Sequence, residues 1–190
     1  PFTTTSIYCL ISYLEQTWGV HFPMGGTGKI VEGLVSLVEG QGGTVRYDAR
    51  VEEITLEGRR ATGVRLAGGE VITAAVVVSN ADSTWTYRNL LPEHARPHWK
   101  NGKIDRVDQS MSVFVWYFGT KKRYPDVKHH TILLGPRYRQ LLDDIFERKV
   151  LADDFSLYLH RPTATDPSMA PEGCDTFYVL SPVPHLESGV

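Results

Sequence analysis

The side chains best suited to metal or nucleophilic chemistry are histidines and cysteines that lie far apart along the chain. His129 and His130 are neighbours, whereas His160 lies much further on, and Cys9 and Cys174 each stand alone. Zinc sites that can be read from a sequence show pairs of cysteine or histidine at short, fixed spacings, which are missing here. The spacing therefore predicts no metal site.

Acidic pairs and serines give no better candidate for catalysis. Asp143-Asp144 and Asp153-Asp154 lack the alternating acidic positions and central glycine of a calcium loop. No serine lies in the G-x-S-x-G turn that exposes a nucleophile. We assign no catalytic residue, and we expect a bound organic cofactor to carry any chemistry, with the protein positioning it and excluding water.

A glycine-rich turn near the start of the chain is the strongest local signal. Gly25, Gly26 and Gly28 precede an apolar repeat at helical spacing over residues 30–38. Backbone amides at a helix start can face phosphate. The turn is nevertheless no P-loop, because Pro23 replaces the first glycine and no hydroxyl residue follows Lys29. It also lacks the preceding strand of a dinucleotide fingerprint, so we expect an ordinary helix start.

Two kinds of secondary structure are expected around this turn. Residues 3–17 form an apolar-striped helix, and a buried strand at residues 75–78 ends in the polar run 79–82, where ligands sit in open α/β sheets. The further predicted strands are residues 44–48, 50–56, 61–66, 70–79, 111–118, 131–134, 155–160 and 176–180. The later strands are separated by loops rather than helices, which favours an antiparallel sheet. The predicted fold class is therefore mixed, α/β in one part and α+β in the other.

Composition excludes several classes of protein. A chain of 190 residues with 42% hydrophobic and 22% charged residues is globular, and its net charge of −2 argues against a nucleic acid partner. The isolated cysteines suggest reduced, intracellular thiols, and no apolar run is long enough to span a membrane. The chain starts without methionine and ends after a strand-like run, so we expect an internal piece of a longer protein.

Several motifs, in order, resemble bacterial-type phytoene desaturases. They lie at residues 2–8, 15–19, 22–28, 51–54, 61–64, 76–82, 110–119 and 177–182, and so cover essentially the whole chain. The glycine-rich turn before a helix and the later V-x-x-I belong more broadly to flavin-dependent enzymes related to amine oxidases.

The resemblance implies a two-domain flavoprotein that binds FAD in a Rossmann-like domain and its substrate on an antiparallel sheet. It assigns residues 1–22 to a helical segment of the substrate domain, 23–85 to the FAD-binding domain and 86–190 to the substrate domain. The implied cofactor contacts are Val51, through its main chain on adenine, and Asn80 and Ala81, near the pyrophosphate. The N-terminal fingerprint and C-terminal flavin motif are not in this chain. We therefore expect the isolated piece to hold no flavin and to be inactive.

The implied substrate is phytoene or a similar long-chain isoprenoid, from which hydride passes to the flavin. A long hydrocarbon needs an apolar tunnel, and aromatic residues on the predicted strands are its candidate lining: Phe114, Trp116, Phe118, Tyr158, Phe177 and Tyr178. The alternative for each is plain core packing. Alternative functions are a flavoenzyme acting on another isoprenoid or an amine, and a non-catalytic lipid-binding module. The oligomeric state is left open.

Such a substrate implies a cytoplasmic enzyme that is peripherally associated with a membrane. The predicted contact is the helix over residues 137–150, with the apolar stripe Tyr138, Leu141, Leu142, Ile145 and Phe146. Anionic lipid would meet the basic residues Lys121, Lys122, Arg123, Lys128, Arg137 and Arg139. The same stripe would equally pack a helix on the sheet, and burial of Leu141, Ile145 and Phe146 decides between the two.

Overall fold

The structure, a computed structural model, describes residues 6–185. Its contacts divide the chain into two compact units. One unit is Gly43–Asp108, and the other joins the described parts of Pro1–Gly42 and Gln109–Val190. The boundaries expected at residues 22/23 and 85/86 concern the domains of a whole enzyme, and they stay a prediction. No helix among residues 6–185 has the length and apolar composition needed to cross a bilayer.

Two helices open the chain. A 3₁₀ turn at Ser6–Tyr8 leads into helix α1 (Cys9–Trp18), and helix α2 (Gly28–Gly40) follows the glycine-rich turn. Both lie where the apolar repeats predict them, although residues 3–5 fall outside the described part. The carboxylate of Asp166 accepts a hydrogen bond from the Gly25 amide at 2.6 Å, which ties the glycine-rich turn to a segment 141 residues further along the chain.

The unit Gly43–Asp108 contains a three-stranded antiparallel sheet. Strands β1 (Val51–Glu57), β2 (Arg60–Leu66) and β3 (Val71–Thr73) pair in that order. The turn between β2 and β3 has positive φ at Gly68 and Gly69, as the predicted hairpin requires. Short helices α3 (Ser83–Trp85), extended by a π turn at Thr86–Leu90, and α4 (Asn101–Ile104) complete the unit. Its core contains Ile54, Leu66, Leu90 and Ile104.

One predicted strand in this unit is wrong, and another is too long. Residues 44–46 have no regular secondary structure and residues 47–48 form a bend, whereas the predicted strand 70–79 is realised only as β3, and residues 74–80 belong to no strand. Val76 and Val78, expected to be buried on both faces, are 75% and 87% exposed. A strand buried on both faces needs neighbouring strands and a covering layer. Within Gly43–Asp108, strand pairing of β3 ends at Thr73, and the residues that follow pair with no strand.

The other unit contains a four-stranded antiparallel sheet, which confirms the predicted architecture of the second half. Its strands are β4 (Ser112–Thr120), β5 (His130–Leu133), β6 (Leu157–His160) and β7 (Asp175–Val183), in the order β4-β7-β6-β5. The strand ends shift by a few residues from the prediction. Helix α5 (Tyr138–Asp143) continues into a π turn at Asp144–Arg148.

The apolar stripe of α5 faces protein. Leu141 and Ile145 are each 2% exposed and Leu142 is also buried, whereas Tyr138 and Phe146, at the two ends of the stripe, are 42% and 36% exposed. The expected membrane contact through Leu141, Leu142 and Ile145 is therefore wrong, because these side chains are already covered, whereas for the exposed Tyr138 and Phe146 it stays a prediction. The alternative, in which the stripe packs inside the fold, holds for Leu141, Leu142 and Ile145.

A buried carboxylate fixes the loops beside β7. Asp175, 1% exposed, accepts hydrogen bonds from the Thr163 hydroxyl at 2.6 Å, the Tyr124 amide at 2.7 Å and the Arg161 guanidinium at 3.1 Å. Arg161 is itself buried. Burial acts to raise the pKa of Asp175, but these hydrogen bonds and the Arg161 charge outweigh it and hold the pKa below its usual value.

Candidate functional site

The three residues expected to contact the cofactor lie around one cavity of about 340 Å³ in the unit Gly43–Asp108. Val51, at the start of β1, is half-buried, and Asn80 and Ala81 are exposed at the cavity edge. Aliphatic and aromatic side chains form much of the remaining wall, which consists of Arg50, Ile54, Val64, Val77, Val78, Ser79, Trp85 and Leu90. The structure thus brings together residues that are separated by almost thirty positions in the sequence.

Local hydrogen bonds shape the polar edge of this cavity. The Asp82 carboxylate caps α3 by accepting from the Trp85 amide at 2.8 Å and from the Thr84 hydroxyl at 2.6 Å. These hydrogen bonds, that from Thr84 first, lower the pKa of Asp82. The Ser79 and Thr86 hydroxyls are 2.9 Å apart. The turn that carries Asn80 and Ala81 is therefore held at both of its ends.

This cavity suits a flat ring with a polar edge. Val51, Ile54 and Val64 offer apolar contact to ring faces, whereas main-chain groups of β1 and of the 79–82 turn can pair with ring nitrogens. Arg50 adds a positive charge to the lining. Adenine and an adjoining phosphate group match this combination of surfaces. The role of each residue stays a prediction.

A larger, apolar cavity of about 650 Å³ lies in the other unit, on one face of the four-stranded sheet. Strand pairing places Phe114 opposite Ser181 and Trp116 opposite Val179, so their side chains share this face. The lining residues are Ser112, Val113, Phe114, Trp116, Leu151, Phe155, Leu157, Val179, Ser181, Val183 and Pro184. The polar side-chain groups among them are the hydroxyls of Ser112 and Ser181 and the indole N–H of Trp116.

The structure separates the residues expected to line one tunnel. Phe114 and Trp116 line the apolar cavity, and the Phe118 ring, 4.8 Å from that of Trp116, stacks instead on Phe177 at 5.2 Å. Tyr158 and Tyr178 belong to the opposite face of the sheet, where their rings lie 5.8 Å apart. Only two of the aromatic candidates therefore share the cavity, and contact with a substrate stays a prediction for all of them.

Sequence reasoning missed the wall that closes the apolar cavity. Leu151 and Phe155 come from the loop between α5 and β6, and Pro184 follows β7. Loop residues have no periodic pattern that reveals what they face. Phe155 and Leu157 had a usable signal, because residues two apart in the predicted strand 155–160 share a face.

Strand pairing also creates a histidine cluster on the opposite face of the sheet. His130 in β5 pairs with His160 in β6, and one ring nitrogen from each of His129, His130 and His160 lies within 4.8 Å of the others. Burial lowers the pKa of His160 to about 4 and also lowers that of His129. Sequence spacing gave no sign of this cluster, because the strands bring together residues that are far apart along the chain.

The chain is similar to curated carotenoid enzymes over nearly its whole length. It is 53% identical over 190 residues to a neurosporene-forming phytoene desaturase of Cereibacter sphaeroides and 52% identical over 186 residues to a lycopene-forming phytoene desaturase of Pseudescherichia vulneris. Each alignment covers 98% of this chain, but only 37% and 38% of those proteins. The chain thus spans less than two fifths of the relatives it matches.

Comparison of structures supports the fold. An oxidoreductase from Methanosarcina mazei superposes with a TM-score of 0.71 at 19% identity, covering 96% of this chain and 39% of that one. The mixed fold class is therefore confirmed.

A profile of the family described as "Flavin containing amine oxidoreductase" matches residues 2–178. This match, together with the desaturase relatives, confirms the resemblance seen in the sequence and the expected cofactor, FAD. The chain belongs to the flavin-containing amine oxidoreductase family.

Proposed function

We propose that the protein containing this chain is an FAD-dependent desaturase that introduces double bonds into phytoene or a similar long-chain isoprenoid. The observation that carries the proposal is the apolar cavity on the β4–β7 sheet, whose lining offers a hydrocarbon only two hydroxyls and one indole N–H as polar side-chain groups. A pocket built to recognise an amine would need a polar or charged partner for the nitrogen. The names of the relatives point to the same substrate.

The chain's own residues would bind and orient the substrate. Phe114, Trp116 and Val179 would hold the hydrocarbon against the sheet and keep water from the reacting carbons. FAD, when bound, would supply an acceptor for hydride from an allylic carbon, with the proton lost from the neighbouring carbon and an external acceptor needed to reoxidise the flavin. We assign no residue of this chain to the proton.

The proposal is tested with full-length protein and phytoene in liposomes, following the absorbance of the lengthening polyene. We expect the longer-wavelength bands of a conjugated product, with a matching consumption of the electron acceptor. Turnover of amines without any polyene would instead favour an amine-oxidising relative. A lack of turnover with either substrate, in protein that retains FAD, would favour a lipid-binding role.

Val51 provides a test of cofactor placement. Its main chain is proposed to contact adenine, so Val51→Ala should leave FAD affinity nearly unchanged, whereas Val51→Pro removes the amide donor. Loss of one such hydrogen bond, about 1.4 kcal/mol, should weaken FAD binding about tenfold. The measurement is titration of full-length apoprotein with FAD. Equal affinities for the two variants, with both folded by circular dichroism, would contradict the contact.

A cytoplasmic enzyme with this substrate must collect it from a membrane, and we propose that the mouth of the apolar cavity makes this peripheral contact. The support is local: Leu151 and Phe155 are 54% and 43% exposed although both line the cavity. Arg148 and Lys149, also exposed, precede them. Each basic side chain near an anionic surface contributes about 1 kcal/mol, and the two apolar side chains can enter the headgroup boundary.

Replacing Leu151 and Phe155 together by aspartate should therefore reduce co-sedimentation of full-length protein with anionic liposomes by about tenfold or more, because two apolar anchors are lost and two negative charges added. The matched control is Ile132→Asp with Leu134→Asp, which adds the same charges at exposed positions outside the cavity. Equal losses in both double variants would show a general charge effect and contradict a contact at the cavity mouth. FAD content reports whether each variant remains folded.

A further inference from the structure

The histidine cluster has the arrangement of a metal centre, although the spacing of the three histidines in the sequence does not predict one. One nitrogen from each of His129, His130 and His160 lies within 4.8 Å of the others, and no other group of three or more potential ligands occurs among residues 6–185. His160 is 8% exposed, His129 is half-buried and His130 is exposed. The cluster therefore has a buried base and one open side, as sites with three protein ligands and a solvent position have.

Hydrogen bonds orient two of the rings from outside the cluster. The Nδ1 of His129 lies 2.5 Å from the Thr165 hydroxyl, and the Nδ1 of His130 lies 2.5 Å from the Tyr158 hydroxyl. Neither of these hydrogen bonds uses the Nε2 atom of its ring. Histidines that bind metals typically use one nitrogen as the ligand and fix the ring through the other.

His160 supplies the third nitrogen and has an unsatisfied polar atom. Its Nε2 lies 2.8 Å from the Nε2 of His129, and its Nδ1 is buried without a hydrogen-bond partner. A hydrogen bond between these two Nε2 atoms needs a proton on one of them. Tetrahedral ligation at 2.0–2.1 Å separates two ligand nitrogens by about 3.3 Å, so these two atoms need to move apart by about half an ångström, and a nitrogen at the 4.8 Å limit needs to approach by about 1.5 Å. With a metal ion on its Nε2, His160 would carry its proton on Nδ1.

The surroundings tolerate a cation. Arg161, which directly follows His160 in the chain, carries a buried positive charge. The carboxylate of Asp175, 3.1 Å from its guanidinium, balances that charge. The rings of Phe22 and Tyr178 pack on His129 and His160 at centroid distances of 4.7 and 4.4 Å. They shield the buried side of the cluster, whereas His130 leaves its other side open to solvent.

We propose that His129, His130 and His160 bind one divalent transition-metal ion such as Zn²⁺, with a water molecule as the fourth ligand. Three imidazoles favour Zn²⁺, Ni²⁺ or Cu²⁺ over the oxygen-seeking Mg²⁺ and Ca²⁺. The cluster lies on the sheet face opposite the apolar cavity. The ion would therefore link β5 to β6 as a structural clamp, apart from the hydrocarbon site.

To test this, full-length protein is first treated with a chelator. It is then titrated with ZnCl₂, followed by calorimetry, and with CoCl₂, followed by visible absorption. We expect one equivalent of either ion, bound with micromolar affinity or better, and the intense d–d bands of tetrahedral Co²⁺. Mg²⁺ should not compete. The absence of saturable binding, or a thiolate-to-Co²⁺ charge-transfer band pointing to Cys9 or Cys174, would overturn the proposal.

Two sets of variants separate this site from adventitious binding. His160→Asn should weaken Zn²⁺ binding more than about 100-fold, whereas His98→Asn, an exposed histidine of the other unit, should leave it unchanged. Equal binding by both variants would contradict the assignment. Should His160→Asn fail to fold, Thr165→Val keeps all three ligands and should weaken binding about 10–100-fold, while Thr165→Ser, which retains the hydroxyl, should restore it. Identical affinities for the Val and Ser variants would also count against the site.

Discussion

Replacing Asp175 with asparagine is expected to lower the free energy of unfolding by about 3–5 kcal/mol, because it leaves the buried Arg161 guanidinium without a counter-charge. The asparagine amide fits the same space, so the loss is one of charge rather than of packing. Thr163 and the Tyr124 amide also lose a charged acceptor. Chemical denaturation of the full-length protein, followed by far-ultraviolet circular dichroism, measures the change.

Asp153→Asn is the matched control, since it makes the same chemical change at an exposed position of the same unit. Its effect should stay within about 0.5 kcal/mol. Similar midpoints for the two variants would show that the Asp175 network contributes little beyond a surface charge. Thr163→Val supplies a graded intermediate, because it removes one hydrogen bond to Asp175 and keeps the ion pair.

The pH dependence of the Asp175 effect has a defined sign. The folded-state pKa of Asp175 lies below its unfolded value, so its ionised form stabilises the fold. This stabilisation is fully present above the unfolded pKa, about 3.9, and is lost as the pH falls through the lowered folded pKa. The difference between wild type and Asp175→Asn should therefore be constant above about pH 5 and shrink only below about pH 4. A difference that instead grew with acidity would contradict the assignment.

The strands that could be predicted were those whose signal is local. β4 and β7 contain continuous runs of β-branched, aromatic and aliphatic residues, V-F-V-W-Y-F and F-Y-V-L, and such runs indicate strands without any knowledge of the neighbouring strands. The hairpin at Gly68 and Gly69 was equally local, because positive φ at both positions favours glycine. The resemblance supplied what periodicity does not, namely that Val51, Asn80 and Ala81 belong together, and the structure places all three at one cavity.

The features that could not be predicted depend on partners distant in sequence. Residues 75–78 have the composition of a doubly buried strand, but composition does not say which strands and layers must flank them. His129 and His160 come together only because β5 pairs with β6 in one register, which two short strands do not reveal in advance. Likewise, the period of α5 showed an apolar stripe without showing that protein covers Leu141 and Ile145.

The second large effect concerns the apolar cavity, where we expect Phe114→Asp to lower kcat/KM for phytoene by about 100-fold or more. A carboxylate in this wall has only the Ser112 and Ser181 hydroxyls and the Trp116 indole N–H as polar side-chain groups within the lining. When a hydrocarbon fills the cavity, that carboxylate loses water and gains little in return, at a cost of about 3 kcal/mol, which equals about a hundredfold in rate. Trp116→Asp should behave in the same way, since Trp116 lies on the same face.

Side-chain exposure makes this a test of binding rather than of folding. Phe114 is 62% exposed at the cavity wall, so a charge there meets solvent in the substrate-free protein and should cost little stability. Tyr117→Asp is the control, because it places the same charge on the same strand, on the opposite face of the sheet and outside the cavity. Phe114→Leu, which keeps the wall apolar, should lose no more than a few-fold in kcat/KM. FAD content should be equal in all of these variants. An equal loss of activity in Tyr117→Asp, or full activity in Phe114→Asp, would move the hydrocarbon site away from this face of the sheet.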